Sequence, residues 1–360
     1  MGLKLSGGLA ATFLALLLAS AGTGQAHAAK PLINLGPKTA PVSAPVAFVA
    51  GDDLSTQGGS LIWQNEREAA RGLRQVVIPS FQVEFVTNSG ATSTGAGLSQ
   101  SQVSYTLNGP TAEDMQAITD AYYAKFVADL EAAGIKVIPL EEAEARSPGL
   151  VRLMNMAKPT PYVRGRANRS AFYSPPGMKF YFTPNDGRAK AFGDTMTTTG
   201  SQVPEEMAMR ELDAGVMGVR MVVDFAEIQA RGRGVLGMRT MNAKVTSKAN
   251  VALLPTDTQL WVLTPKAKST TMDLGHRLRY ALTGPVVMPD SVVSASDTTT
   301  GASKMGDALG SAIGVLAGAG GMQKTRTYEV TVDPVIWRRD VSAAIEQVGA
   351  LMIARLKQDL

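Results

Sequence analysis

The stretch from Gln75 to Pro139 constrains this chain most, because it reads as strand, hairpin, strand, helix, strand in one run. RQVVIPSFQVEFV alternates Phe81, Val83 and Phe85 with smaller or polar residues, the period of a strand with one buried face, and Pro79 lies near its start. Thr111 to Ala133 then has every mark of an amphipathic helix. Thr111 with Asp114 three residues on forms a capping box, and Met115, Ile118, Tyr122, Phe126 and Leu130 recur at steps of three and four. Gly134 stands where a left-handed C-terminal residue is needed, and Ile135–Ile138 follows as a short apolar strand. Asp129 falls within the apolar spacing and is expected at the edge of the stripe.

Upstream, MGLKLSGGLAATFLALLLASAGTGQAHAAK has the three parts of a secretory signal: Lys4, the apolar run Leu9 to Ala19, and the small-x-small site Ala26-His27-Ala28. Cleavage after Ala28 is the expectation, since the apolar run is short for a span of ~20 residues. The mature chain then has no transmembrane helix and lies in the periplasm or beside the outer membrane. There is no cysteine, so disulfides, thiolate nucleophiles, cysteine metal sites and a lipid anchor at the cleavage point are excluded. Residues 1–28 carry one lysine and no acid, leaving 34 basic residues against 31 acidic ones and a net charge of +3. That balance argues against nucleic acid as a partner. Residues 29–45, with Pro31, Pro37, Pro41 and Pro45, read as an extended leader.

Two regions are expected beyond the leader, an α/β unit over 46–150 and a β-meander-rich region over 151–360. Val46–Ala50 opens the first as a strand. The uncharged TNSGATSTGAGLSQSQ between Val86 and Val103 is either a long mobile hairpin tip or a hairpin that reaches a partner or a membrane. LEEAEARSPG makes a short acidic helix stopped by Pro148, with Glu141, Glu142 and Glu144 on a solvated face. Arg164, Arg166 and Arg169 alternate; on one face of a strand they could hold a phosphate or carboxylate, and otherwise they are surface charges. Val203–Gly215 is expected as a helix with Pro204 near its start. Strands follow at Val219–Phe225, Val235–Val245, Ala249–Leu254 and Gln259–Leu263, with Trp261 in the core. The fold class is therefore α+β: a mixed or antiparallel sheet packed by two amphipathic helices, with a β-meander in the second half.

Near the C-terminus, Gly306, Gly310, Gly314 and Gly318 recur every four residues within a Gly-rich insertion at 301–321. On a helix they would line one flat stripe open to close approach by another helix or a membrane. Only Ala308–Ala319 is free of charge, about 18 Å of helix against ~30 Å of hydrocarbon, so it cannot span alone. The alternative is a loosely packed loop. Asp333-Pro334 caps a last helix with Trp337, Val341, Ala344, Val348 and Leu351 on its buried face.

Little catalytic chemistry survives this inventory. His276 is the one histidine of the mature chain, so neither a conventional zinc site nor a Ser-His-Asp system is expected. No phosphate-binding or dinucleotide fingerprint occurs, no catalytic residue is assigned, and no cofactor is expected. Carboxylate-only catalysis remains, as in glycoside hydrolysis, although aromatic residues at 6% are sparse for a sugar cleft. The run VVIPSFQVEF, followed by a helix ending DLEAAGIKVIPLEEAEA, resembles the amino-terminal α/β unit of TolB-like and curli-export (CsgG-like) periplasmic proteins. The hairpin inserted between Val86 and Val103 and the missing lipobox cysteine depart from that pattern, and no functional residue transfers. The resemblance implies a non-enzymatic, self-assembling envelope protein. The expected function is a binding or scaffold role in envelope assembly or export, on an envelope protein, a membrane surface or its own copies. The alternative is a carboxylate-dependent hydrolase of periplasmic polysaccharide.

Overall fold

The computed structural model describes residues 41–57, 61–65, 70–94, 100–165, 168–182, 192–233, 239–255, 257–264, 277–305, 307 and 323–360. In chain order, the first half holds β1 (Val46–Ala47), β2 (Ile62–Gln64), β3 (Gln75–Thr94), β4 (Gln100–Asn108), α1 (Ala112–Ala132), β5 (Lys136–Ile138), α2 (Leu140–Arg146), α3 (Pro148–Met156), β6 (Tyr162–Arg164) and β7 (Arg169–Tyr173). The second half holds α4 (Phe192–Leu212), β8 (Gly215–Arg233), β9 (Arg239–Leu253), β10 (Gln259–Leu263), β11 (Leu278–Leu282), β12 (Val286–Met288), β13 (Val292–Asp297), β14 (Gln323–Val332) and α5 (Pro334–Asp359). All the strands join one mixed sheet, whose main path runs β1-β12-β9-β8-β3-β4-β14-β13. The α+β class and the antiparallel runs of the second half are as the sequence predicts.

The sheet is built on β3 and β8, which pair in parallel from Val76↔Gly215 to Phe85↔Val223. These two strands come from the two expected regions, which therefore share one sheet and one core. Their register shifts between Val77 and Ser80. Pro79 sits at that point, without an N–H for the ladder, and so occupies an irregularity.

Strand alternation sends Phe81, Val83 and Phe85 to the face covered by α1 and α5. The Phe81 ring lies 5.0 Å from Tyr122 and 5.5 Å from Phe126 on α1, and Phe85 lies 5.7 Å from Trp337 on α5. Both helices start on the predicted caps. The Thr111 hydroxyl accepts from Asp114 N at 3.2 Å while Asp114 Oδ2 accepts from Thr111 N at 3.0 Å. Asp333 Oδ1 accepts from Val335 N and Ile336 N at 2.9 and 3.0 Å. The two helices run side by side in the same direction, with Arg338 3.8 Å from Asp114 in their first turns and Gly349 against Tyr122 further along.

Several boundaries differ from the sequence reading. The stretch from Thr87 is not a loop: β3 continues to Thr94 and β4 begins at Gln100, paired from Thr94↔Gln100 to Asn88↔Thr106. β14 pairs in parallel along the other edge of β4, so β4 has ladder partners on both sides. The short acidic helix α2 ends at Arg146 as expected, and Pro148 then opens a further helix, α3, at its first position, with the Ser147 hydroxyl accepting from Leu150 N at 3.0 Å. Pro204 lies inside α4, which begins at Phe192. One helical hydrogen bond is lost there, and burial of Glu205, Ala208 and Leu212 holds the helix in place. The strands expected at Val235–Val245 and Ala249–Leu254 are, over the described residues, the single strand β9 from Arg239 to Leu253, paired with β8 down to Arg233↔Arg239. β10 pairs with β8, on Val216–Arg220, and with β11.

Beyond Phe85 and Val223 the two central strands part, and each becomes one arm of a hairpin, β3 with β4 and β8 with β9. The outward face of the first hairpin is unusual in composition. Its register aligns Thr92 with Gln102 and Thr325, Gly90 with Ser104 and Thr327, and Asn88 with Thr106 and Glu329. β13 continues the rows with Ser296 opposite Glu329 and Ser294 opposite Thr331. Along β4 the residues on this face are exposed or half-buried, while Ser101, Val103 and Tyr105 between them are buried.

Gly349 tests the parallel helix pair. A Cβ there would lie 2.5 Å from Tyr122 Oη and 2.8 Å from Cε2. Alanine gains about 0.8–1 kcal/mol in helix propensity, but overpacking of this kind costs about 1–3 kcal/mol. Gly349→Ala should therefore destabilise the protein in urea unfolding. Tyr122→Phe, which removes a buried hydroxyl lacking a hydrogen-bond partner among the described residues, should recover part of the loss.

Candidate functional site

The reverse face of β3 carries Ser80, Gln82 and Glu84, all buried, and is the start of a polar assembly in the interior. Gln82 Nε2 donates to Ser80 Oγ at 2.7 Å and to the Tyr181 carbonyl at 2.8 Å, and Gln82 Oε1 accepts from Arg220 Nη2 at 3.0 Å. Gln82, Arg220 and Gln259 are register neighbours on β3, β8 and β10, and Arg279 on β11 closes on Gln259 Oε1 at 2.6 and 3.0 Å. The Arg220 guanidinium also lies 5.7 and 5.6 Å from the rings of Phe172 and Phe182.

α4 is tied to this face by a stack. Glu205 is fully buried, accepts from Tyr181 Oη at 3.0 Å, and pairs with Arg277. The Arg277 guanidinium lies 4.3 Å above the Trp261 ring, and Trp261 in turn occupies the space where a side chain on Gly218 would be. Glycine at 218 is what lets the indole lie flat on the strand. Burial pulls Arg277 down to about 10, Arg279 pushes the same way, and Tyr181 opposes. Arg277 is thus still a cation at neutral pH, and Glu205 is its counter-charge.

These groups do not make a catalytic constellation. The polar atoms of Gln82, Tyr181, Glu205 and Arg277 are turned on one another. Among the described residues no group of three or more His, Cys, Asp or Glu could hold a metal ion. Two clefts among the described residues lie elsewhere. One of about 340 Å³ sits at the first turns of α1 and α5, lined by Asp114, Val335, Arg338 and Ser342. Another of about 570 Å³ runs along α2 and α3, lined by Glu144, Val151, Arg152 and Met156.

Of the residues picked from sequence, Arg164 and Arg169 are described. Arg164 ends β6 and Arg169 begins β7, on antiparallel neighbours whose register sets Arg164 opposite Ser170. They do not alternate along one strand, because Gly165, at φ +83°, turns the chain directly after β6. The Arg164 guanidinium lies 5.4 Å from the Phe182 ring, whereas Arg169 is exposed. Arg166 lies outside the described residues, as do Gly306, Gly310, Gly314, Gly318 and His276. Asp129 pairs with Lys125 at 3.0 Å, one turn back and partly exposed, and Glu142 pairs with Arg146 at 2.9 Å on the surface of α2. Sequence reasoning missed the Glu205–Arg277 pair, whose members are separated by a long and structurally varied stretch. The available signal was polar residues at alternate positions of β3, Ser80, Gln82 and Glu84, against an apolar partner set.

No protein-family model matches this chain. Nor does any curated protein or solved structure.

Two measurements test the buried assembly. Glu205→Ala should cost about 3–5 kcal/mol in denaturant unfolding, because it leaves Arg277 charged and unpaired in the interior, whereas Glu205→Met with Arg277→Leu should recover much of that loss. The alkaline limb of stability should be set by tyrosines. Burial raises the phenols of Tyr122, Tyr181 and Tyr280, with the Asp359 hydrogen bond adding to the effect at Tyr280. Unfolded tyrosines release their protons first, near pH 10, so above that pH the unfolded state binds fewer protons and stability falls. Arg277 works in the opposite direction above about 10, but it is one group against three. Phenolate absorbance should show fewer than the eight tyrosines ionising before structure is lost, and the rest ionising with it.

Proposed function

We propose that this protein is a non-catalytic binding or scaffold protein of the cell envelope, exported by its N-terminal segment and working at a membrane surface. The observation that carries this reading is the shared direction of its projecting parts. β3 and β8 run parallel through the core and leave it the same way, each for about ten more residues, or roughly 30 Å at ~3.3 Å per residue. β14 begins beside the start of β4, at Gln100↔Gln323, and Asp307 Oδ2 holds Thr325 N at 2.7 Å, which ties together the two ends of the Gly-rich insertion. Three connections therefore leave from this end: 95–99, 234–238 and 308–322. Their sequences are GAGLS, GVLGM and ALGSAIGVLAGAGGM, without a charged residue among them.

Aliphatic connecting sequences without charge, joined to strand ends that share one direction, have the composition that suits the boundary of a bilayer. No helix among the described residues is long and apolar enough to cross a membrane, so contact through turns and hairpins fits the chain better than a helical anchor. The resemblance of residues 75–139 to TolB-like and curli-export proteins leans the same way, as does the absence of a catalytic constellation among the described residues.

Flotation with liposomes tests the reading. The mature protein should float with vesicles, and Leu98→Asp, Leu236→Asp and Leu316→Asp together should reduce the bound fraction about tenfold or more, since each aspartate at a bilayer costs ~2.5–3.5 kcal/mol at full depth. A protein that never floats would remove the membrane reading. Turnover of chromogenic glycosides, lost on replacing a single Asp or Glu, would replace the scaffold reading with that of a polysaccharide hydrolase.

A further inference from the structure

The hairpin of β8 and β9 changes its charge pairing toward its outer end. Nearer the core, Glu227 stands opposite Lys248, an attractive cross-strand pair. Further out the register sets Arg231 opposite Lys244 and Arg233 opposite Arg239. Residues directly opposite in an antiparallel ladder share a face at about 5 Å, and like charges placed there repel. The hairpin supplies nothing to offset them. Residues 228–256 hold five basic residues, Arg231, Arg233, Arg239, Lys244 and Lys248, and no acidic one. The net charge of the whole chain is +4, so the remainder of the chain carries no positive excess.

Two cation pairs in register without a counter-charge are complementary to an external polyanion, whose binding would relieve the repulsion between them. The sequence between the pairs selects which polyanion. They bracket residues 234–238, GVLGM, an aliphatic run without charge. Nucleic acid is held by phosphate contacts and gains nothing from such a run, whereas elements that dock on membranes join apolar residues to a basic collar. The start of β14 repeats the arrangement, with exposed Lys324 just after the uncharged 308–322 connection. We infer that the outer end of the β8–β9 hairpin docks on anionic phospholipid, with Arg231, Arg233, Arg239 and Lys244 forming a collar at the level of the phosphate headgroups. This rests on the membrane reading above and adds the lipid charge that the protein selects.

Flotation of the mature protein with vesicles of phosphatidylcholine alone, and of phosphatidylcholine mixed with phosphatidylglycerol, tests it. Binding to the mixed vesicles should be tenfold or more stronger at low salt, and the preference should fade toward ~0.5 M salt as screening shortens the reach of the charges. Arg231→Gln with Arg239→Gln should cut the preference about tenfold or more, since each basic residue at an anionic surface is worth roughly fivefold. The melting temperature should hold or rise, because one member of each like-charged pair is gone. Arg233→Gln with Lys244→Gln removes the other members and serves if the first variant fails to fold. Equal flotation on both vesicle types, or a preference that survives both variants, overturns the proposal. So does competition by millimolar inorganic phosphate at constant ionic strength, or duplex DNA bound more tightly than the mixed vesicles. The two readings fail separately. Equal flotation keeps membrane contact and removes the collar. A preference lost in the glutamine variants but indifferent to the aspartates at Leu98, Leu236 and Leu316 keeps the collar and removes docking through the connections. No flotation on either vesicle removes both.

Discussion

The parallel pairing of β3 with β8 is the contact on which the rest of the molecule depends. It joins residues far apart in the chain, and each strand arrives at it with two different faces. On one side Phe81, Val83 and Phe85 meet α1 and α5, the apolar burial that supplies most of the stabilisation at ~25 cal/mol per Å². On the other side Gln82 meets Arg220, and through the polar layer the sheet is fixed to α4 and to the segment around Tyr181. A slip of one residue would exchange the two faces, placing phenylalanine among guanidinium groups. The polar layer thus contributes more to choosing a single register than to net stability, because buried pairs gain little over apolar replacements.

Much of the helical half of this architecture is legible in the sequence. Caps and apolar periodicity are local, and they gave α1 and α5 almost to the residue: Thr111 with Asp114, and Asp333 with Pro334. The strands of the hairpins are less legible for a physical reason. TNSGATST has neither alternating hydrophobicity nor charge, so nothing local separates it from a loop, and it is held extended by β4, itself paired with β14. Pro148 and Pro204 show the same limit, since a proline marks a helix start, a stop or a tolerated interior position according to what packs against it.

Reaction chemistry was narrowed mainly by subtraction: the chain has no cysteine and two histidines, no nucleotide-binding fingerprint occurs, and the buried pair Glu205 and Arg277 is turned inward on itself. Arg164 and Arg169 looked like a candidate anion site only while they could be imagined on one strand. The shared direction of β3 and β8, on which the proposed role rests, depends on which strand lies beside which. No window of sequence contains that information.

The direction shared by α1 and α5 has an electrostatic consequence. Helices that pack side by side in the same sense align their dipoles, so each places a positive N-terminal end beside another of the same sign. Antiparallel neighbours would offset these fields, whereas here they add. The chain answers with acids at both N-termini: Glu113 and Asp114 in the first turn of α1, and Asp333 capping α5. Asp114 serves both helices, bonding within its own cap and lying 3.8 Å from Arg338 on the neighbour. Its carboxylate lies beside both like-signed ends and offsets part of the field of each, so the parallel packing draws on an acid shared between the two helices.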